Sequence, residues 1–228
     1  KDWPEIAPLG DNLLLKVASY ITDPVTTTDE LIPSGETSSY RSNPERLSEF
    51  ALSRRDPQYV SRSKEVRQIE RDREAGKALP EEVRNVYAAL TKAGVKNDPA
   101  NTDIGSTIFA NMPGDGSARE QAASCQRVMG ASANFAKQYA TKRYRSNCIN
   151  WGMTPFLVEN PEVFALGDYI FIPGLRQAVL ENKTSFSAYV VKADGTVTEF
   201  PVSTGALTEP ERQIIADGCL INYYRNNQ

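Results

Sequence analysis

The segment Gly114-Asp115-Gly116-Ser117-Ala118-Arg119-Glu120 decides how the rest of the chain is interpreted. Its two glycines allow a tight backbone turn and the close approach of a ligand. A helix is predicted over 118–129, and a helix N-terminus attracts anions through its free N–H groups and its dipole. Arg119 adds a planar guanidinium that can hold a carboxylate through two hydrogen bonds. The segment therefore predicts an anion site with Ser117 beside it.

The same segment also has a purely structural interpretation. Ser117 and Glu120 have the spacing of a capping box, in which the two side chains satisfy free N–H groups at a helix start. Taken alone, the segment leaves both interpretations open.

Composition argues against several functions and several kinds of site. The 228 residues carry a net charge of −3, which argues against general binding to nucleic acids or membrane surfaces. Three widely spaced cysteines without a C-x-x-C pair argue against a disulfide framework, a zinc site or an iron–sulfur cluster held by this chain, and favour a reducing, cytoplasmic location. Because the chain has no histidine, any proton transfer must use other side chains or groups from elsewhere.

The pattern of apolar residues predicts an α/β fold with a mixed sheet. The apolar segment 13–20 is either a helix or a strand, and further strands are predicted at 104–110, 131–135, 156–158, 169–172, 186–191 and 196–200. Helices are predicted over 45–54, 63–75, 80–93, 118–129, 137–145 and 210–224. We also expect a two-residue hairpin turn at Asp194-Gly195 and a capping box between Thr208 and Glu211.

Several motifs, in order along the chain, resemble those of aconitase-type hydro-lyases. Residues 114–123 resemble the G-x-G-S-S-R-E-H-A-A motif of their C-terminal swivelling domain, and Thr27-Thr28-Asp29 resembles their T-T-D-H motif. Phe135-Ala136 and Gly152-Met153-Thr154-Pro155 match the F-A … G-L-L-P segment. The resemblance implies one swivelling domain over 1–228, with a helical insertion at about 45–97. Its expected fold is a mixed, barrel-like sheet flanked by helices, in three β/β/α layers.

The resemblance also implies roles for individual residues. Ser117 would be the base that takes the carbon-bound proton of the substrate, and Arg119 would bind a substrate carboxylate. Arg41 would bind the carboxylate that distinguishes tricarboxylic substrates, while Thr28 and Asp29 would belong to a polar network at the rim of the site. Ala118 replaces the second serine of the motif, and Gln121 and Glu30 replace two histidines.

The implied activity is that of a hydro-lyase of the tricarboxylic acid cycle, which interconverts citrate and isocitrate through cis-aconitate. This chain would be its substrate-binding and base-supplying domain. The [4Fe-4S] cluster would be held by cysteines of other domains, on the same polypeptide or on a large subunit. The isolated chain is therefore expected to hold no metal and to be inactive.

Two other functions remain open at this point. The small subunits of 3-isopropylmalate and homoaconitate isomerases carry the same glycine–serine–arginine turn, but they tend to have an apolar pocket instead of an arginine placed like Arg41. Arg41 therefore favours an aconitase-like substrate. Ala118 and the missing histidines motivate a third interpretation, a non-catalytic module that senses a ligand or binds a partner.

Overall fold

The computed structural model describes residues 5–33, 35, 40 and 42–228. The strands are β1 (Asn12–Ile21), β2 (Thr26–Thr27), β3 (Thr102–Ala110), β4 (Pro113–Asp115), β5 (Ala131–Ala136), β6 (Thr154–Leu157), β7 (Tyr169–Ile172), β8 (Ser185–Val191) and β9 (Val197–Ser203). The helices are α1 (Thr28–Leu31), α2 (Pro44–Ser48), α3 (Tyr59–Glu74), α4 (Glu81–Lys92), α5 (Arg119–Val128), α6 (Lys142–Asn150), α7 (Leu175–Leu180), α8 (Glu209–Asp217) and α9 (Leu220–Asn226). Short 3-10 turns occupy Pro99–Asn101 and Pro161–Val163.

Seven strands close into a barrel in the order β1-β3-β5-β6-β9-β8-β7. The first four are parallel neighbours, with Phe109 opposite Phe135, whereas β9, β8 and β7 pair antiparallel and close the barrel onto β1. With helices outside the barrel, the predicted mixed, barrel-like α/β fold is confirmed.

Alternation along β1 explains why the barrel has apolar residues on both surfaces. Leu13 and Leu15 belong to the interior cluster, together with residues such as Phe135. Leu14 points the other way and packs with Val83 from α4, because successive side chains of a strand face opposite sides. Segment 13–20, which the sequence left open, is therefore a strand with two buried faces.

The parallel half of the barrel brings the start of several helices to one end. The carboxyl ends of β3 and β5 lie side by side, with Ala110 opposite Ala136. Beyond this end, β2 and β4 form a separate two-stranded parallel sheet. Since α1 follows β2 directly and α5 follows β4 after a short turn, both helices begin at the same place.

Helices α3 and α4 are attached to the outside of the barrel by an apolar cluster and by ionic contacts. Val66 and Leu90 pack in the same cluster as Ile104 of β3. Glu70 accepts a hydrogen bond from the Ile104 N–H at 2.9 Å and pairs with Arg73, whose Nη2 lies 3.3 Å from Asp103 Oδ1.

The expected limits, one swivelling domain over 1–228 with a helical insertion at about 45–97, remain a prediction.

Three local predictions are wrong. The predicted helix over 137–145 begins only at Lys142, because the N–H groups of Lys137 and Gln138 bond to the Asn111 carbonyl instead of continuing a helix. The final helix is two helices, α8 and α9, separated at Gly218. The hairpin loop has three residues, since Lys192 N–H bonds to the Thr196 carbonyl.

Other local predictions agree more closely with the structure. The helix predicted over 45–54 is shorter, ending at Ser48 and followed by turns, and the next helix begins earlier, at Tyr59. The capping box between Thr208 and Glu211 is confirmed. Within the described residues, none of the helices combines the length and apolarity required to cross a membrane.

Candidate functional site

An open cleft lies where the starts of α1 and α5 meet. Its volume is about 350 Å³, and its lining consists of Thr27, Thr28, Asp29, Asp115, Gly116, Ser117 and Ala118. The structure thus brings together four of the residues that the sequence analysis selected, which are Thr28, Asp29, Ser117 and Ala118. Arg119 follows directly as the first residue of α5 but does not line the cleft. Arg41 lies outside the described residues.

The two glycines of the turn are fixed by what they touch. Gly114 has φ +101°, and a Cβ there would lie 2.4 Å from Cγ of Tyr144. Gly116 has φ +133°, and a Cβ there would lie 2.2 Å from Oγ1 of Thr28. Both conformations disfavour residues with a side chain, and neither position has space for one. The turn consequently closes directly on Thr28.

Helix α1 caps its own N-terminus. The Glu30 N–H donates to Thr27 Oγ1 at 3.2 Å, and the Thr27 N–H donates to Glu30 Oε2 at 2.7 Å, which is a capping box. Glu30, which stands where the family motif has a histidine, therefore holds the helix start. The sequence signal was present, since Thr27 and Glu30 have the capping spacing, but we assigned that signal only to Ser117 and Thr208.

Asp29 lines the cleft and forms an ion pair with Arg54. Arg54 Nη1 lies 3.2 Å from Asp29 Oδ2, and both side chains are about half exposed. Sequence analysis missed Arg54 because it lies in the loop after α2, far along the chain from Asp29. The pair places one charge of each sign at the rim of the cleft, and these two charges largely offset each other.

Helix α5, in contrast, is not capped by its own residues. Its first residue is Arg119, the cap position is occupied by Ala118, and no side chain of the described residues accepts a hydrogen bond there. The predicted capping box between Ser117 and Glu120 is wrong, because the turn extends one residue further and leaves Ser117 before the cap position. The N–H groups of the first turn of α5 thus lack side-chain acceptors. They form a positive edge beside the exposed Ser117.

Arg119 carries an unsatisfied donor. Within the described part of the chain its Nε is buried and has no hydrogen-bond partner. Leaving a buried charged donor unpaired is unfavourable by more than about 1 kcal/mol. An anionic acceptor within hydrogen-bond distance of Nε would therefore be stabilising. This donor is compatible with a carboxylate ligand.

A buried network of hydrogen bonds lies against the turn at Gly114. Tyr144 Oη donates to Gln126 Oε1 at 2.8 Å, and Asn134 Nδ2 donates to Tyr144 Oη at 3.1 Å. Thr141 Oγ1 donates to the Gly114 carbonyl at 3.3 Å. Burial raises the pKa of Tyr144 well above its ordinary value, so its phenol stays protonated. Nothing in the sequence distinguished Tyr144 from an ordinary core aromatic residue.

Side chains that commonly bind metals lie apart from one another in the described part of the chain. Among the described residues, no three His, Cys, Asp or Glu side chains lie close enough together to hold a metal ion. Cys125, Cys148 and Cys219 are buried and free. Burial raises the pKa of Cys125 to about 11 and that of Cys148 to about 12, which disfavours the thiolate form that binds metals. A cluster held by other domains stays a prediction.

Comparison with known proteins gives a structural likeness only. No protein-family model matches the chain, and no curated protein matches it. Among solved structures, the crystal structure of 3-isopropylmalate dehydratase (leuD) from Methanocaldococcus jannaschii aligns with a TM-score of 0.57 and 20% sequence identity, over 95% of each chain. At that identity the likeness shows a common fold.

Proposed function

We propose that this chain is the substrate-binding and base-supplying unit of an aconitase-type hydro-lyase, which isomerises a hydroxy acid with two or three carboxylates by dehydration and rehydration. The observation that carries the proposal is the exposed Ser117 beside the uncapped start of α5, with the unpartnered Nε of Arg119 next to it. The fold shared with a 3-isopropylmalate dehydratase supports the same activity.

The cleft residues, together with Arg119 beside them, suit two steps of such a reaction. A substrate carboxylate would accept hydrogen bonds from Arg119 and from the free N–H groups of α5, which fixes the substrate relative to Ser117. A serine is a weak base unless its alkoxide is stabilised, and the positive helix start lowers that cost. Ser117 Oγ would then take the proton bound to carbon. Departure of the hydroxyl group is assigned to groups outside this chain.

The substrate class we propose first is a dicarboxylate of the 3-isopropylmalate type. The structural likeness is to an enzyme of that name, whereas the argument for citrate rests on Arg41, which lies outside the described residues. Citrate and isocitrate are the second candidate, because an arginine at that position would suit a third carboxylate.

The remaining parts of the enzyme would come from a partner. We propose cluster-bearing domains, in a large subunit or on the same polypeptide, as the component that completes the site. Three free, buried cysteines are compatible with a reducing cytoplasm, where we place the assembly.

The test is a comparison of binding and turnover. Calorimetric titration of the chain with 3-isopropylmalate, citrate and an uncharged diamide analogue should show binding of the acids only. The assembly purified through a tag on this chain should dehydrate the acid that binds, and Ser117→Ala should abolish turnover. Binding without turnover in the complete assembly would favour a ligand-sensing module. Enzyme-like turnover by the isolated chain would contradict the need for a partner.

A further inference from the structure

A second cavity lies outside the cleft and is lined by both polar and apolar side chains. Its volume is about 640 Å³, within the range of small-molecule sites. It is enclosed by the end of α6, the first turn of α5, helix α9 and the segment at Glu5 and Ile6. It shares no lining residue with the cleft at Ser117.

Two half-buried asparagines line this cavity together with three exposed charged side chains. Asn147 and Asn150 lie three residues apart on α6 and are therefore on one helix face. Within the described residues, no side-chain hydrogen bond or ion pair is found for either asparagine, or for Glu5, Glu120 and Arg225. By comparison, Asn222 on the same wall donates to the Ile6 and Asp217 carbonyls and serves the fold.

The charges around the cavity disfavour an anionic ligand. Two carboxylates, Glu5 and Glu120, face one guanidinium, Arg225, so the lining has a net charge of −1 when all three are ionised. The cleft at Ser117 differs in having the uncapped start of α5 and Arg119 beside it, although Asp29 and Asp115 also line it. A second molecule of the acidic substrate would therefore be repelled here.

The combination of groups matches the chemistry of hydroxyl-rich molecules. A hydroxyl group both donates and accepts, and the lining offers amides that do both, carboxylates that accept and a guanidinium that donates. Trp151, half-buried at the end of α6, and the aliphatic Ile6 and Leu220 supply flat or apolar surface for the C–H face of a sugar ring.

We propose that this cavity is a binding site for an uncharged polyhydroxylated molecule, such as a mono- or disaccharide. Asn147 and Asn150 hold adjacent hydroxyl groups, Glu5 and Glu120 accept from others, and the ring packs on Trp151. The site is independent of the proposed hydro-lyase function, so either can fail without the other.

Trp151 gives the experiment a direct signal. The chain has two tryptophans, so Trp3→Phe leaves Trp151 as the only one. Titration of this variant with glucose, maltose and inositol should give a saturable change in tryptophan emission, with matching heat in calorimetry. When Asn150→Ala is introduced into the Trp3→Phe variant, binding should weaken about tenfold, the loss expected for one or two hydrogen bonds. The same change at Asn85, exposed on α4, should leave binding unchanged.

Four results would overturn the proposal. One is the absence of both emission change and heat with every neutral sugar at millimolar concentration. The second is preferential binding of glucuronate or spermidine, which would assign a charged ligand. The third is an equal loss of affinity in Asn85→Ala. The fourth is self-association in sedimentation velocity that alone accounts for the Trp151 signal, which would make the cavity an interface between two copies.

Discussion

At the scale of single residues, the roles proposed for Ser117 and Arg119 separate chemistry from binding. Ser117 is exposed and makes no cap, whereas Arg119 presents a buried, unpartnered Nε. Ser117→Ala should therefore leave the Kd of the acidic ligand within a few-fold of its original value while abolishing turnover in the complete assembly. Calorimetry and the dehydration assay measure the two effects separately. A large loss of affinity in Ser117→Ala would show that the serine binds and does not act as the base.

Arg119→Gln should mainly weaken binding of the acidic ligand. A hydrogen bond to a charged group contributes about 1.5–3 kcal/mol, so the variant should raise Kd by roughly tenfold to a hundredfold. Arg84→Gln, on the exposed side of α4, is the matched control and should not change Kd. If both variants bind equally well, Arg119 does not contact the ligand.

At the scale of elements, the turn between β4 and α5 depends on the fit between Gly116 and Thr28. Gly116→Ala adds a Cβ at a position with φ +133° and 2.2 Å from Thr28 Oγ1, which should cost about 1–3 kcal/mol and displace the start of α5. Urea unfolding should show the loss of stability, and ligand affinity should fall with it. Gly76→Ala is a control for a positive φ without a close contact, because that glycine has φ +77° and open space around it. Equal losses in the two variants would mean that the contact with Thr28 is unimportant.

The same turn shows what the sequence could and could not predict. The capping box at Thr208 and Glu211 was predictable because it depends on two residues three apart in the chain. The capping interpretation of Ser117 and Glu120, one of two left open, does not hold, because α5 begins one residue later, after a turn in which Gly116 lies against Thr28. The helix start at Lys142 has a local signal that the sequence analysis missed, because Thr141 Oγ1 accepts from the Tyr144 N–H at 3.1 Å. Local patterns located the strands, and the resemblance in motifs located the cleft residues, whereas the start of α5 depended on a tertiary contact.

At the scale of the whole molecule, α3 is joined to the barrel through three charged groups that are mostly shielded from water. Glu70 and Asp103 both contact Arg73, and Asp103 also accepts from the Gly10 N–H at 2.7 Å. Burial raises the pKa of each carboxyl above its ordinary value, and this effect outweighs the opposing pull of Arg73 and of the backbone N–H groups. This ionic cluster therefore joins α3 to the barrel, but it is less stabilising when both acids are ionised.

This arrangement predicts how stability changes with pH. Since the folded state binds these protons more tightly than the unfolded state, the contribution of Asp103 to the free energy of unfolding is greatest below its ordinary pKa of 3.8 and falls as pH rises through the raised value. Asp103→Asn keeps an oxygen that can accept from Gly10 but cannot ionise. The stability of the original protein relative to this variant should consequently decrease as pH rises above 3.8 in a series of urea unfolding curves. If the difference grows with pH instead, attraction to Arg73 dominates over burial, and the ion pair itself holds α3 to the barrel.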